Sequence, residues 1–315
     1  MKGARVTAWG QPPEYMDVPD IPAPTSDELQ LKVLVVGVPR AVQGRAAGLH
    51  YSSKSQPLPF DPSVDGVGLD EITGDRYYVT LDPKGGVSMF NERVNVPKSQ
   101  LVKLEPGVDP VTVAALINPV ASSWMALQAR AVGGCKDRTV LVVGATGTSG
   151  RAAVTVAKSL GAARVIAMSR SEATLAEVEG IDVRVVLTKP AVLPPDLGPI
   201  DIILDYVGGA TAVELMTVAE VAPGRNLQYI HIGDLGGEPN ILLPTGLLNK
   251  KPVSIVGSGM GSFSVEEIKK ETPGLVAAIG KMKRPSDVFT APLSDVQSVW
   301  NTEDAKKKRL VITLE

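Results

Sequence analysis

One stretch of this 315-residue chain has the spacing of a phosphate-binding turn. Val140-Leu141-Val142-Val143-Gly144-Ala145-Thr146-Gly147-Thr148-Ser149-Gly150 runs from an apolar strand into a helix. Gly144, Gly147 and Gly150 give G-x-x-G-x-x-G, and with Ala145 the run also reads A-x-G-x-x-G. Glycine permits the tight turn and lets the backbone approach a pyrophosphate. The helix start adds free N–H groups and the positive end of its dipole. Ala145, Thr146, Gly147, Thr148, Ser149 and Gly150 are therefore candidate cofactor-binding residues. About 20 residues further on, an NAD-binding chain places Asp or Glu to hold the ribose hydroxyls. Here that strand ends Ala167-Met168-Ser169-Arg170-Ser171, with Glu172 already in the next helix. The Ser169 hydroxyl and the Arg170 guanidinium suit a 2′-phosphate, because arginine makes paired, charge-assisted hydrogen bonds to phosphate oxygens. The predicted cofactor is NADP(H).

These residues need a scaffold, and the chain is large enough to supply one. A length of 315 residues predicts about two domains. With 44% hydrophobic and 21% charged residues it can bury a full core. A net charge of −2 argues against a general nucleic-acid binder. The one cysteine, Cys135, excludes an internal disulfide and cysteine-rich metal sites, and His50 and His231 are the two histidines. No apolar run is expected to reach the roughly 20 residues that span a bilayer. The N-terminus has no apolar stretch of signal-peptide length and the C-terminus is not of the S-K-L type, so cytoplasmic residence is expected.

The first 120 residues read as short strands, including 2–9 and 28–36, broken by Gly/Pro turns, which predicts a β-rich, barrel-like unit. Residues 111–131 are apolar at helical spacing. From residue 139 strand and helix alternate. Strands are predicted over 139–143, 164–168, 184–187, 201–205, 227–232 and 253–256, with helices over 150–160, 172–178 and 211–221. Continuous apolar strands of this kind indicate a parallel sheet covered on both faces, and six of them make a doubly wound α/β sheet. A helix over 265–281 and a terminal strand over 309–314 follow, and that strand could return to the first unit.

With these residues in view, the chain resembles the zinc-free medium-chain dehydrogenases/reductases of the quinone oxidoreductase (zeta-crystallin-like) type. Leu58-Pro59-Phe60-Asp61-Pro62-Ser63-Val64-Asp65-Gly66-Val67-Gly68 is similar to the family's L-P-x-x-P-G-x-D-x-x-G segment, and Gly74-Asp75-Arg76-Tyr77 to its G-D-R-V turn. Asn118-Pro119-Val120-Ala121-Ser122-Ser123-Trp124 resembles the helix before the cofactor domain. Asp205-Tyr206-Val207-Gly208-Gly209 matches D-x-V-G-G, and Ile232-Gly233 and Gly257-Ser258-Gly259 match later strand ends. The resemblance implies a GroES-like β-rich catalytic domain, 1–120 with 262–315, and a Rossmann domain, 121–261. It further implies cofactor contacts at Ser122, Ser123, Val207, Gly208, Ile232, Gly233, Gly257 and Ser258. It adds Arg309, which follows the basic run Lys306-Lys307-Lys308. A homodimer is also implied.

The chain departs from the family in places. Val38-Pro39-Arg40-Ala41 stands where an asparagine often precedes the proline, and R-x-G-x-Y becomes Arg45-Ala46-Ala47-Gly48-Leu49-His50-Tyr51, one residue longer. No suitable set of three zinc ligands appears at the matching positions. Without a Lewis acid, hydride must go to an electrophile already activated by conjugation, a quinone or an enone-type C=C. Tyr51 resembles the family tyrosine near the substrate cleft, and Tyr51 or His50 is the candidate hydrogen-bond or proton donor. Two other readings stay open at this point: a dedicated secondary-metabolism enoyl or imine reductase, and an NADPH-binding redox-sensing module with little turnover. No nucleic-acid or membrane partner is expected.

Overall fold

The computed structural model describes residues 1–50, 52–53, 55–80, 87–238 and 240–314. It divides into two compact units, Met1–Asn118 with Thr272–Glu315, and Pro119–Glu271.

In the first unit, strands β1 (Lys2–Arg5) and β2 (Glu14–Asp17) form an antiparallel pair. The remaining strands are β3 (Glu28–Gly37), β4 (Gly66–Leu69), β5 (Arg76–Val79), β6 (Arg93–Pro97) and β7 (Leu101–Lys103), joined by β14 (Val288–Pro292) and β15 (Arg309–Thr313) from the C-terminal segment. They make one sheet in the order β14-β15-β3-β4-β5-β7, with β6 also on β3. The terminal strand does return: Val311 pairs with Gly37 in antiparallel register. Side chains alternate across a strand, so Leu31 and Val33 of β3 turn into one core, and after a shift of register between Val33 and Val35, Val36 joins them. Leu31 and Val33 are part of a core with Phe90, Val94, Val96, Leu310, Ile312 and Trp300, in which Phe90 and Trp300 meet edge to face at 6.4 Å. The region expected to be all strand also holds a short helix, α1 (Arg40–Ala46), whose Val42 and Ala46 plug into the same core.

The expectation that no apolar run reaches membrane-spanning length is corrected here. Helix α2 (Pro110–Met125) continues into a π-wound turn, Ala126–Arg130, giving 21 residues long and apolar enough to cross a bilayer by length and composition. Pro119 lies inside α2 without ending it. Most of this helix is buried within the protein itself, which is how a core helix satisfies the same test.

The second unit is built on six parallel strands: β8 (Thr139–Val143), β9 (Arg164–Ser169), β10 (Val183–Val186), β11 (Ile202–Asp205), β12 (Leu227–His231) and β13 (Val253–Gly257). Their order, β10-β9-β8-β11-β12-β13, reverses direction between β8 and β11. In open α/β sheets, ligands bind outside the carboxyl ends of the strands at such a reversal. Val140, Leu141, Val142 and Val143 are all fully buried, as expected of a central strand covered on both faces. Helix α3 (Thr148–Ser159) lays Ala153, Val154, Val156 and Ala157 inward. Helices α4 (Glu172–Ala176) and α5 (Gly209–Val218) follow β9 and β11, and α5 contributes Ala212, Leu215 and Met216 to the core that holds Leu141, Ile203 and Tyr229. Helix α6 (Thr245–Lys250) precedes β13, and α7 (Val265–Ile279) leads back toward the C-terminal segment.

In the first unit β3 passes close under α2: a Cβ on Gly37 would collide with the carbonyl oxygen of Ala114. Gly37→Ala is expected to cost about 1–3 kcal/mol through overpacking. At about 2–4 °C per kcal/mol, scanning calorimetry should show a Tm lower by several degrees. An unchanged Tm would show that β3 and α2 are not held this tightly.

Candidate functional site

The turn after β8 contains three glycines that face different constraints. Gly144 has φ +87°, a left-handed conformation that costs glycine little. Its N–H and that of Ala145 both donate to the Met168 carbonyl, at 2.9 and 3.1 Å, which ties the turn to the end of β9. Gly150 faces the same turn from inside α3. A Cβ there would collide with the Gly144 carbonyl oxygen and lie 2.7 Å from the Ala145 Cα. Gly147 has neither constraint. Its φ is −69°, and a Cβ would meet only the Gly144 oxygen, at 3.6 Å. Nothing among the described residues requires glycine at this position, so the turn leaves a cradle that a side chain would fill. No side chain caps α3, and its first N–H groups open into that cradle. Two further helix starts at the sheet's carboxyl end are already filled: Ser171 Oγ accepts the Thr174 N–H at 3.3 Å at the start of α4, and Glu238 Oε2 accepts the Ala210 N–H at 2.8 Å at the start of α5. An anion is therefore directed to α3.

Around the cradle, Thr146 Oγ1 and Ser169 Oγ are hydrogen-bonded at 2.7 Å. Arg151 is committed to the fold, with Nε donating to the Thr146 carbonyl at 3.0 Å and Nη2 paired to Glu177 Oε2 at 3.1 Å. Arg170 differs. It is exposed at the tip of β9 and no hydrogen bond or ion pair engages it among the described residues. Thr148 is exposed, Ser149 half-buried and Ala145 fully buried. The turn, the free N–H groups and the unpaired guanidinium together fit a dinucleotide carrying a 2′-phosphate.

The far half of the sheet end is organised by Asp205, which is fully buried. Its Oδ1 accepts the Val207 N–H at 2.7 Å, both oxygens accept the Gly208 N–H at 3.2 Å, and Oδ2 accepts the Tyr229 O–H at 2.6 Å. Its carbonyl accepts the Ile232 and Gly233 N–H groups at 2.8 and 3.2 Å. Gly208 has φ +73° and lies under the His231 ring. Ser258 donates its N–H to the His231 carbonyl at 2.8 Å, next to Gly257, and its buried Oγ has no partner among the described residues. Asp205 thus gathers Val207, Gly208, His231, Ile232 and Gly233 into one group, with Gly257 and Ser258 on the adjoining strand end.

Ser122 and Ser123 lie on α2 and donate their hydroxyls to the Pro119 and Val120 carbonyls at 2.8 and 3.1 Å. Ser123 is fully buried. The Tyr206 O–H then donates to Ser122 Oγ at 3.2 Å, and burial pushes its phenol up to about 12, so it stays neutral. Sequence reasoning read Tyr206 only as the variable position of D-x-V-G-G. It also missed the Tyr229–Asp205 bond and the Glu238 cap, since each joins residues more than 20 positions apart and has no local signature.

In the first unit, Tyr51 lies outside the described residues. His50 Nδ1 is 2.8 Å from Ser52 Oγ, which accepts from Arg45 Nη1 at 2.5 Å. The Ser52 N–H also donates to Nδ1, at 3.3 Å, so Nδ1 is the acceptor and the proton of the neutral ring sits on Nε2. Burial and the Arg45 charge push the His50 pKa down, so the ring is neutral at physiological pH. Arg45 itself is anchored, with Nε on the Pro62 carbonyl at 2.9 Å and the guanidinium 5.0 Å over the Phe60 ring. Arg309 is paired with Asp287 at 2.7 Å. Cys135 is buried, and burial raises its thiol pKa. No group of three or more His, Cys, Asp or Glu placed to hold a metal ion occurs among the described residues. Asp65 is buried and accepts the Tyr78 O–H at 3.1 Å, while its Oδ1 has no partner among the described residues. Burial raises its carboxyl from near 3.8 to about 7.

Two outcomes are expected. Gly150→Ala lowers thermal stability, whereas Gly147→Ala keeps the wild-type Tm and weakens nucleotide binding about tenfold or more, the scale of one lost charge-assisted hydrogen bond. Melting and fluorescence titration of both variants check this. For Asp65 the folded pKa lies above the unfolded one, so its contribution is fully present below about pH 4 and is lost as the pH rises to about 7. Denaturant titrations should show wild type losing stability relative to Asp65→Asn over that window. Parallel curves would contradict the burial argument.

The geometry agrees with what the chain is similar to. No family model matches it. It is 44% identical to the Emericella nidulans protein named probable NADPH-dependent quinone reductase tdiC, over an alignment of 358 residues covering 99% of both proteins. It superposes on a quinone oxidoreductase from Thermus thermophilus, also solved in complex with NADPH, with a TM-score of 0.71, 25% identity and 100% coverage of both chains. A mycobacterial quinone oxidoreductase superposes with a TM-score of 0.79 at 20% identity over 99% of each chain. A full-length match at this identity, on a Rossmann sheet and a β-rich partner unit in the expected order, places the chain in the quinone oxidoreductase family of medium-chain dehydrogenases/reductases.

Proposed function

We propose that this protein is an NADPH-dependent reductase that delivers hydride to a quinone or to an activated, enone-type C=C, without zinc. The observation that carries the cofactor half is the unpaired Arg170 beside a cradle that only glycine leaves open. The acceptor half rests on the family and on the tdiC relative's name.

When bound, the reduced nicotinamide supplies the hydride. The chain's part is to hold and orient. The N–H groups at the start of α3 take the pyrophosphate, and Arg170 with Ser169 takes the 2′-phosphate. The Asp205-tied group of Val207, Gly208, Ile232, Gly233, Gly257 and Ser258 borders the nicotinamide end. Ser122 and Ser123 on α2, both beside the Tyr206 hydroxyl, are further proposed contacts of that end. A quinone or enone spreads incoming charge over its conjugated system, so a hydrogen-bond donor at the oxygen suffices where a simple ketone would need a Lewis acid. His50, neutral with Nε2–H, and Tyr51 are the proposed donors. Arg309 is held by Asp287, and a cofactor contact there would compete with that pair.

The protein is read as a cytoplasmic homodimer. Support comes from the family resemblance and from Ile255 on the outermost strand β13, exposed like Leu242, Leu248 and Met260. Light scattering after gel filtration should give twice the chain mass, and a monomer would overturn this reading.

The activity is tested by following NADPH oxidation with a panel of quinones and enones. Turnover should require an electrophile, persist with chelators, and favour NADPH over NADH. Arg170→Ala should lose about tenfold or more of that preference, the scale of a charge-assisted hydrogen bond. Binding of NADPH without turnover on any electrophile would favour a sensing module, and binding of neither nucleotide would remove hydride transfer altogether.

A further inference from the structure

Tyr229 and His231 sit two residues apart on β12 and so point to the same face. Tyr229 is fully buried, and His231 is half-buried at the strand's carboxyl end. Both oxygens of Asp205 already accept backbone N–H groups, from Val207 and Gly208, so the carboxylate acts as acceptor throughout. The Tyr229 hydroxyl, 2.6 Å from Oδ2, is therefore the donor in that bond. A phenol has one proton, and here it goes to Asp205. His231 Nδ1 lies 3.5 Å from the same tyrosine oxygen, which can only accept from it. That contact is the long member of the chain and acts more on orientation than on energy. An imidazole that keeps this contact carries its proton on Nδ1 and leaves a bare lone pair on Nε2.

The Nε2 atom has no hydrogen-bond partner among the described residues, and the residue is half-buried. The adjoining Cε1 lies over Gly208, 3.3 Å from where a Cβ would stand, at the loop that closes the far half of the sheet end. An acceptor placed there matches an N–H donor on the ligand. This deepens the NADPH reading and rests on it, because the nicotinamide half of that ligand carries a carboxamide with two N–H groups. We propose that His231 Nε2 accepts a carboxamide N–H of the nicotinamide, with Tyr229 and Asp205 as positioning residues that fix the imidazole tautomer. The bond would set which way the carboxamide, and with it the ring, lies.

The test combines a spectroscopic readout on the ligand-free protein with three ligands. In 15N-labelled wild type, the neutral His231 ring should show protonated Nδ1 and bare Nε2, and Tyr229→Phe should shift it toward the Nε2–H form. Wild type should bind NADP+ about fivefold more tightly than its 3-acetylpyridine analogue, which has no amide N–H, the factor expected of one neutral hydrogen bond. His231→Ala should bind the two alike, and His231→Gln, whose amide oxygen reaches the Nε2 position, should recover the difference. 2′,5′-ADP, which lacks the nicotinamide, should bind wild type and all variants equally. An Nε2–H tautomer in wild type, or the same fivefold discrimination in His231→Ala, would overturn the proposal. Failure of 2′,5′-ADP to bind wild type would remove the NADPH reading itself, and the His231 proposal with it.

Discussion

The second unit depends on one close approach. The start of α3 lies so near the end of β8 that the Gly144 carbonyl takes the place a side chain on residue 150 would need. That contact fixes the angle at which α3 leaves the sheet and aims its uncapped N–H groups back over the strand ends. The bonds from Gly144 and Ala145 to Met168 then hold the turn against β9, so the cradle and the Ser169–Arg170 tip belong to one rigid edge. Because the backbone itself forms the site, it needs little from side chains beyond their absence at Gly147.

Charge placement completes the design. The helices α3 and α5 both begin at the carboxyl end of this sheet, and each offers a positive dipole end. At α5 the carboxylate of Glu238 fills it. Among the described residues no side chain does so at α3, and the arginine beside the cradle without an internal partner is Arg170 rather than Arg151. An anion entering this end of the sheet therefore has one favourable place for a pyrophosphate and one for a further phosphate. The buried carboxylate of Asp205 works differently. It faces inward, draws two loop residues and a tyrosine around itself, and makes the far half of the site stiff without presenting charge to a ligand.

Much of this was legible in the residues. Glycine spacing reports backbone geometry directly, so Gly144, Gly147 and Gly150 announced the turn, and an acid-free strand tip ending in Ser169-Arg170 announced the cofactor. Parallel strands showed as continuous apolar runs because both of their faces are covered. What the sequence hid was contact between distant segments. Tyr229, His231 and Asp205 meet only because β11 and β12 are neighbours in register, and Asp205 stands opposite His231. Tyr206 gained its partner from α2, over 80 positions away. The helix through residue 130 was read over nearly its full length, as 111–131, but not as a run of membrane-spanning length, which it reaches because Pro119 and a π-wound final turn leave it unbroken. In the first unit, α1 was missed because seven residues give too few turns for a helical period to emerge.

The central claim is that the turn after β8 holds the pyrophosphate and that Arg170 selects the cofactor. A crystal structure of the protein with NADPH tests it most directly. The account predicts the pyrophosphate against the backbone N–H groups of residues 148–150 and the 2′-phosphate within hydrogen-bond distance of the Arg170 guanidinium. A pyrophosphate lying instead at the start of α5, or an adenosine ribose turned away from Arg170, would contradict it.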